Sequence, residues 1–504
     1  MEDESVTEYS TQFEQKRIIV KGAFWTYFGH FILVTSSLFT NILLARLLDK
    51  DNWGVFSLVL SLVSFFSAFS DVGFNYTIQH KLASSIDKRA SAVKRIVGVL
   101  LRYKLFLLVL ATVILLFLAG TDVLTNLFKV ENGTIYFVVG AVFFLFFNIM
   151  GTFDSVFLGL KQFRDSSLTL SVYHVLRLFL SSLLVFFGFG ISGAIVGFVI
   201  ALAITTAIQI YFLRSFLTLA GRADESLMNQ FSYGFNIGLA SMAMNILLYT
   251  DSVTIGLLVN ATAVGFYRIA SGIATAAGGA IGVINKVLFP IFSSESDKKK
   301  STVQFNRSLK YAVIFSIPAF VGLAVVSDVL VGVFFGVQYA ESSLPLIILS
   351  YSVFDTVFTG ILVAYLAAKK HTAIVGQTAA AITIMNVILN VVLINYLGFI
   401  GAAVASVFVR IVMFLTLYLW AKAKIGLSID WSIFKQPIAS SAIMLLALIL
   451  VKTYVPISYS LELVNLVKFS LYVVVGIISY FGPAYVFGFN IFGFGKKAYE
   501  LLFS

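Results

Sequence analysis

The sequence contains no cysteine among its 504 residues. This absence excludes disulfide frameworks, thiolate metal sites, cysteine nucleophiles and palmitoylated anchors. The four histidines match no zinc-binding spacing and no Walker A motif is present, so neither a metal nor another cofactor is predicted. Only six prolines occur, which argues against Pro-rich linkers and against disorder.

Charge is also scarce, since 12% of the residues are charged against roughly 25% in soluble proteins. Instead, 59% are apolar and 15% aromatic, in runs of spanning length with short polar stretches between them. A helix needs about 20 apolar residues to cross the hydrocarbon. The sequence therefore predicts an all-α integral membrane protein of about fourteen transmembrane helices. The predicted spans are 22–44, 54–75, 96–119, 134–160, 168–189, 191–213, 230–257, 262–291, 311–334, 344–368, 373–397, 399–421, 436–456 and 464–488.

Basic residues are distributed unequally about these spans. Of the 35 Lys and Arg residues, 27 fall on the side that holds both termini, five on the other side and three within spans. Because basic residues collect in cytoplasmic loops, we expect both termini in the cytoplasm of a cell-membrane protein. The same bias accounts for the net charge of +11, and no basic run lies in a foldable soluble domain, so nucleic-acid binding is not predicted.

Two passages recur along the chain at a nearly constant offset. Because the matched loops lie on the same side of the membrane, the pattern predicts a parallel repeat of two six-helix bundles, with two extra C-terminal helices. Chance similarity among glycine-bearing loops is the alternative. The matched passages are Leu47-Leu48-Asp49 with Gly54 against Leu258-Val259-Asn260 with Gly265, at offset 211, and Lys161-Gln162-Phe163 with Gly190 against Lys369-Lys370-His371 with Gly398, at offset 208.

The repeat also divides the chain into five predicted segments. They are an amphipathic cytoplasmic N-terminus (1–20), an N-terminal six-helix lobe (21–215), a cytoplasmic linker (216–229), a C-terminal six-helix lobe (230–424) and the last two helices with a cytoplasmic tail (425–504).

Several strings of the sequence, taken together, are typical of one known family. They are Lys21-Gly22-Ala23-Phe24-Trp25, Leu44-Ala45-Arg46-Leu47-Leu48, Gly54-Val55-Phe56, Asp71-Val72-Gly73, Gly159-Leu160-Lys161-Gln162-Phe163, Asp251 with Ile255-Gly256, Pro290 and Phe335-Gly336-Val337-Gln338-Tyr339. With these strings the chain resembles the polysaccharide-biosynthesis flippases of O-antigen type, the oligosaccharide branch of the multidrug/oligosaccharidyl-lipid/polysaccharide exporter superfamily. The resemblance covers about residues 20–425 and implies a two-lobed helical fold that moves lipid-linked oligosaccharides across a membrane.

Ionisable residues within the predicted spans are the candidate site residues, because a charge at the bilayer centre costs roughly 2.5–3.5 kcal/mol. Arginines suit the phosphate or pyrophosphate head of a lipid-linked glycan, and Asp–Arg pairs that lock helices together are the alternative. The candidates for substrate binding are Arg177, Arg268, Arg410, Arg46 and Lys286. The candidates for ion coupling or charge pairing are Asp71, Asp154, Asp251 and Asp355.

On the cytoplasmic side, Lys286, Arg102 and Lys104 suggest a basic vestibule where the charged lipid head enters. The alternative is that these three residues only reflect the general excess of basic residues on the cytoplasmic side. The predicted partners are a lipid-linked oligosaccharide substrate, membrane lipid and enzymes of glycan assembly. An ion-coupled drug or metabolite exporter of the same superfamily is the rival function. A membrane glycosyltransferase or polymerase is disfavoured, because the outer loops 120–133 and 335–343 hold few acids and no enzyme is predicted.

Overall fold

The computed structural model describes residues 2–71, 73–85, 90–217, 242, 245–282, 288, 292–293 and 297–487, with the side chains of 2–21, 23 and 90–93 left out. In this part of the chain all regular structure is helical, as predicted. Eleven helical segments are long and apolar enough to cross a membrane. One of them, Phe163–Leu213, covers two of the predicted spans, and the predicted spans 230–257 and 262–291 fall partly outside the described residues.

The described chain divides into two compact units, Met1–Gly265 and Phe266–Ser504. In the first unit, the helices α6, α7 and α8 form the centre: α1 packs on α7, and α2, α3 and α4 pack on α6. Its helices are α1 (Glu2–Leu47), α2 (Lys50–Asp71), α3 (Phe74–Ala83), α4 (Ala90–Gly120), α5 (Val123–Phe128), α6 (Thr134–Gly159), α7 (Phe163–Leu184), α8 (Gly190–Leu213) and α9 (Asn245–Leu258), followed by α10 (Ala261–Gly282), which begins in it.

In the second unit a 37-residue helix, α11, packs on the helices that follow it in the chain. The apolar core of this unit lies between α11, α13 and α15 and includes Phe292, Phe305, Leu362 and Phe414. The helices are α11 (Lys298–Phe334), α12 (Ser343–Leu349), α13 (Tyr351–Ala368), α14 (Thr372–Leu397), α15 (Phe399–Ile425), α16 (Lys435–Tyr454) and α17 (Leu463–Val486), with short 3-10 turns at Val337–Ser342 and Trp431–Phe434.

Glycine ends the second predicted span early. The span 54–75 is predicted as one helix, but Gly73 has a φ of 83° and separates α2 from α3. A left-handed residue cannot continue a right-handed helix, and glycine is the residue that adopts this conformation without strain. The break leaves Asp71 and the carbonyl of Ser70 at a helix end, where other groups can reach them.

Gly190 and Gly398, which the sequence analysis matched at offset 208, have similar unusual backbone conformations. Gly190, which opens α8, has φ and ψ of 53° and −139°, and Gly398, before α15, has 59° and −148°. Residues with a Cβ rarely adopt either conformation. Glycine therefore lets the chain turn at the start of α8 and at the start of α15.

Close backbone contact joins the start of α2 to the start of α10. The indole Nε1 of Trp53 donates to the carbonyl of Gly265 at 3.3 Å, and the hydroxyl of Thr262 donates to Asp51 at 2.6 Å. A Cβ added at Gly54 would lie 2.4 Å from the carbonyl oxygen of Ala261. The two helix ends can approach this closely only because Gly54 has no side chain.

A proline in α11 is compensated by the last helix. Pro318 has no N–H, so the carbonyl four residues earlier, that of Ile314, loses its intrahelical partner. The hydroxyl of Tyr480 on α17 donates to this carbonyl at 2.7 Å, and both residues are buried. Further along α11, Asp328 accepts from Lys452 of α16 at 2.7 Å. The C-terminal helices are thus attached to α11 by polar contacts as well as by apolar packing.

Candidate functional site

The structure describes eight of the nine candidate residues, and Lys286 lies outside the described residues. The eight lie on different helices in both units, and each is considered within its own unit. They are Arg46, Asp71, Asp154, Arg177, Asp251, Arg268, Asp355 and Arg410.

Asp71 forms an ion pair with Lys104, which lies on α4. The Nζ of Lys104 is 3.1 Å from Oδ1 of Asp71, donates to the Ser70 carbonyl at 2.8 Å and lies 5.7 Å from the centre of the Phe74 ring. The Lys104 side chain is fully buried, whereas 29% of the Asp71 side chain is exposed. A lysine is almost never fully buried unless it is paired. The predicted open vestibule therefore does not hold for Lys104.

Beside this pair is a cavity of about 250 Å³ within the first unit. Asn75, one turn after Asp71, lines it, and Oδ1 of Asn75 is buried with no hydrogen-bond partner in the described part of the chain. Side chains of α2, α3, α6 and α9 form the walls, among them Ser64, Ser67, Asp71, Asn148, Phe147 and Tyr249. The lining combines polar groups with aromatic and aliphatic surface, which is the usual composition of a small-molecule site.

Asn148 on α6 connects two walls of this cavity. Its amide nitrogen donates to the Ser67 hydroxyl at 2.9 Å and to the Phe144 carbonyl at 2.8 Å. Its carbonyl oxygen accepts from the Ser70 hydroxyl at 2.9 Å. Because both ends of the amide have partners, Asn148 holds α2 against α6 in a fixed geometry.

Arg177 on α7 has neutral partners. Its guanidinium donates to the Ser37 hydroxyl at 2.7 Å and lies 5.4 Å from the centre of the Tyr173 ring and 5.1 Å from that of Phe198. Its Nε and the Nδ1 of His174 are buried and have no hydrogen-bond partner among the residues that the structure describes. No carboxylate in the described part of the chain pairs with Arg177, so its partners there are a hydroxyl and aromatic faces, none of which carries a compensating charge.

Asp154, near the end of α6, accepts a hydrogen bond from the Ser166 hydroxyl at 2.5 Å. Ser166 lies in the first turn of α7, so this contact closes the short connection between the two helices. Within the described residues, Asp154 has no cationic partner.

In the second unit, Arg410 on α15 pairs with Asp355 on α13. The guanidinium is 3.2 Å from Oδ2 of Asp355, and the Thr359 hydroxyl donates to Oδ1 at 2.5 Å. The Asp355 side chain is 7% exposed and that of Arg410 32%. The arrangement is the Asp–Arg pair that the sequence analysis gave as an alternative for Arg410, and the pair leaves part of the Arg410 side chain exposed.

Tyr351 connects this pair to an apolar cavity of about 390 Å³. Tyr351 lies one helical turn before Asp355 on α13. It also lines the cavity, together with Phe320, Phe354, Phe434 and Leu445. A charged pair and an apolar cavity therefore lie side by side within one unit.

The remaining three candidates have partners as well. Asp251 is buried on α9, and Arg46 and Arg268 are half-buried near the end of α1 and on α10. Among the residues that the structure describes, no group of three metal-ligating side chains could hold a metal ion.

The sequence analysis did not identify Lys104 as a buried partner of Asp71, and it did not single out Asn75, Asn148 or Tyr351. The sequence did hold a sign of the pairing of Lys104. Lys104 lies within the predicted span 96–119, and its charge is opposite to that of Asp71 in the preceding predicted span 54–75. No comparable signal marks the neutral residues, since asparagine and tyrosine are common in polar helix contacts.

Comparison with known proteins identifies the family to which the chain belongs. The family model described as "Polysaccharide biosynthesis protein" matches residues 19–296, which is more than half of the chain. A Shigella flexneri protein named as an O-antigen transporter is 21% identical over 407 residues, covering 80% of this chain and 97% of its own. A Haloferax volcanii protein named as a flippase of low-salt glycan biosynthesis is 27% identical over 161 residues, covering 31% of this chain and 34% of its own.

Among solved structures, the lipid II flippase MurJ in an inward closed conformation has the same fold. It superposes with a TM-score of 0.73 at 18% identity, over 93% of this chain and 98% of the other. The family predicted from the sequence strings is thus confirmed by an independent match over more than half of the residues. This multi-pass membrane protein belongs to the polysaccharide biosynthesis family.

Proposed function

We propose that this chain is a flippase that moves a lipid-linked oligosaccharide, carried on a polyprenyl phosphate or pyrophosphate, across the cell membrane by alternating access. The product would serve the assembly of a surface polysaccharide or another glycan. Family membership and the names of two relatives support transport rather than catalysis.

The observation that carries this proposal is the positive charge of Arg177. An arginine within a spanning segment is costly and is normally paired or functional. Its charge has no carboxylate partner in the described residues, and two aromatic rings hold the guanidinium in place. A phosphate or pyrophosphate head would supply the missing charge, because its oxygens match the planar fork of the guanidinium.

The arrangement around Arg410 supports an amphiphilic substrate. The Arg410 side chain is 32% exposed, and Tyr351, one helical turn before the partner carboxylate of Asp355, lines the 390 Å³ apolar cavity. A lipid-linked glycan has the same composition, an anionic head next to a long apolar chain. The uncompensated charge of Arg177 would repel a cationic drug, which disfavours the rival exporter function.

For the whole chain, we propose fourteen spans with both termini cytoplasmic. The proposed lobes are residues 21–215 and 230–424, with the amphipathic N-terminus 1–20, the linker 216–229 and the C-terminal segment 425–504. Arg46, Arg268 and Lys286 are the further proposed contacts of the anionic head. Enzymes of glycan assembly would deliver the substrate and consume the product.

In this mechanism the head group enters the protein while the lipid chain stays in the bilayer. Because the sequence has no nucleotide motif, the driving force comes from an ion gradient, the membrane potential or consumption of the product. One charge moved across 100 mV is worth about 2.3 kcal/mol, enough to bias two states nearly fiftyfold. Asp154 is the proposed carrier of a coupling ion, because Asp71 and Asp355 are already paired with cations.

The test is a flipping assay in liposomes with a panel of lipid-linked oligosaccharides. Arg177→Ala is expected to abolish flipping and to leave membrane insertion intact. Arg177→Lys should restore part of the rate if charge suffices and little of it if the bidentate grip is needed. Arg164→Ala is the matched control, because Arg164 lies on the same helix, also faces an aromatic ring, and is exposed. Full activity of Arg177→Ala would contradict the proposal.

A further inference from the structure

None of the residues proposed to hold the phosphate is among the described residues that line the polar cavity of the first unit. We propose that this cavity, between α2, α3, α6 and α9, binds one sugar ring of the glycan through Asp71 and Asn75. The inference rests on the proposed function, since it names the part of the same substrate that the cavity would recognise.

The volume fits a small ring. At about 250 Å³ the cavity is far larger than the roughly 10–15 Å³ that a single water occupies. It is also smaller than the roughly 300–1,000 Å³ of pockets that enclose drug-sized ligands. One monosaccharide, or the end of a longer glycan, is therefore the size of ligand to expect.

The polar groups that lack partners are acceptors. Oδ1 of Asp71 accepts from Lys104 and from the backbone N–H of Asn75 at 3.2 Å, which leaves Oδ2 for a ligand. Oδ1 of Asn75 is buried and has no partner among the described residues. A buried acceptor without a donor costs about 1–3 kcal/mol, so the site favours a ligand that donates hydrogen bonds. Sugar hydroxyls are donors of this kind, and adjacent hydroxyls of one ring can reach two neighbouring acceptors.

The charge balance favours a neutral ligand over a cation. Among the described residues that line the cavity, Asp71 is the one charged side chain, and the buried ammonium of Lys104 lies 3.1 Å from it. A bound cation would meet this ammonium at close range, whereas a hydroxyl group would not be repelled.

The remaining walls suit the two faces of a sugar ring. Phe147 and Tyr249 provide aromatic surface for the apolar C–H face of a ring. The Asn148 network fixes α2 against α6, so the acceptors are held in position before the ligand arrives. Fixed acceptors and a rigid wall reduce the entropy cost of binding.

The experiment measures binding of two matched probes to the purified full-length protein. One probe is a bare polyprenyl diphosphate, and the other is the same lipid carrying a single glucose, galactose, rhamnose or N-acetylglucosamine. We expect at least one sugar to increase the affinity of the wild type. Asn75→Leu should weaken binding of that lipid about tenfold, through the loss of a buried hydrogen bond, and leave binding of the bare lipid unchanged. Thr77→Val is the control, because Thr77 is a buried polar residue of the same helix whose hydroxyl donates to the Gly73 carbonyl.

Several results would overturn the sugar site. These are a wild type that prefers none of the four sugars, an Asn75→Leu variant that weakens both probes equally or neither, and a Thr77→Val variant with the same effect as Asn75→Leu. Arg177→Ala separates this inference from the proposed function. If that variant changes the affinity of neither probe, phosphate recognition by Arg177 fails, while the difference between the probes still tests the sugar site.

Discussion

The Asp71–Lys104 pair predicts an asymmetric response to the loss of either charge. Asp71→Asn would leave the ammonium of Lys104 fully buried with the Ser70 carbonyl as its main polar partner. Lys104→Met would leave the carboxylate of Asp71 uncompensated, but this group is 29% exposed at the cavity and can be hydrated. We therefore expect Asp71→Asn to destabilise the protein more than Lys104→Met.

The magnitude follows from the distance between the charges. At 3.1 Å and an effective dielectric constant of about 20, the attraction is about 5 kcal/mol before the cost of desolvation. Breaking a buried pair by removing one partner costs about 3–5 kcal/mol, and we expect this for Asp71→Asn. Hydration of the remaining carboxylate should reduce the cost for Lys104→Met to about 1–3 kcal/mol. The double variant leaves no charge unpaired. Its loss in the free energy of unfolding should therefore be about 2 kcal/mol smaller than the sum of the losses of the two single variants.

The assay is reversible unfolding in mixed detergent micelles, with the free energy of unfolding measured for the wild type, both single variants and the double variant. A coupling energy below about 0.5 kcal/mol would show that the two charges do not depend on each other. An equal or larger loss for Lys104→Met would refute the argument from burial.

Two further predictions concern a close backbone contact and a helix end. Gly54→Ala should lower the free energy of unfolding by about 1–3 kcal/mol, because its Cβ would lie 2.4 Å from the Ala261 carbonyl oxygen. Gly120→Ala is the control and should have little effect in the same assay, because no atom lies within 4 Å of its added Cβ. Similar losses of stability for both variants would contradict the steric reason. At the start of α11, hydrogen bonds from the backbone N–H groups of Lys300 and Lys299 lower the pKa of Asp297. Its stabilising effect is therefore complete above the unfolded pKa of about 3.9 and is lost as the pH falls through the lower folded value. We therefore expect amide hydrogen exchange in the first turn of α11, corrected for the intrinsic rate, to accelerate on acidification in the wild type. The Asp297→Asn variant should not show this acceleration. The same pH dependence in both proteins would contradict the role of the Asp297 carboxylate.

Apolar run length was enough to predict the helical membrane fold, because each span must satisfy its own backbone hydrogen bonds. It did not predict the break at Gly73, because a single glycine within a span is compatible with a continuous helix and only its left-handed φ reveals the break. Similarly, the predicted loops 120–133 and 335–343 contain α5 and the turn Val337–Ser342, which are too short to give a periodic signal.

At the candidate site, the cost of burying charge directed attention to Asp355 and Arg410, which the structure pairs with each other. It could not identify the partners. Asp355 and Arg410 are 55 positions apart and Asp71 and Lys104 are 33 apart, so each pairing depends on which helices pack together. The open acceptor of Asn75 is less predictable still, because only the cavity around it makes a neutral amide noteworthy.

The hydrogen bond from Tyr480 to the Ile314 carbonyl makes α11 dependent on a helix far along the chain. A chain shortened before residue 463 would retain both predicted copies of the repeat, yet it would leave this carbonyl facing hydrocarbon at the point where Pro318 interrupts the helix. A tyrosine hydroxyl at this position allows the proline to be tolerated in the longest helix of the second unit. The last helix, although outside the predicted repeat, therefore supplies the hydrogen-bond donor that Pro318 removes from α11.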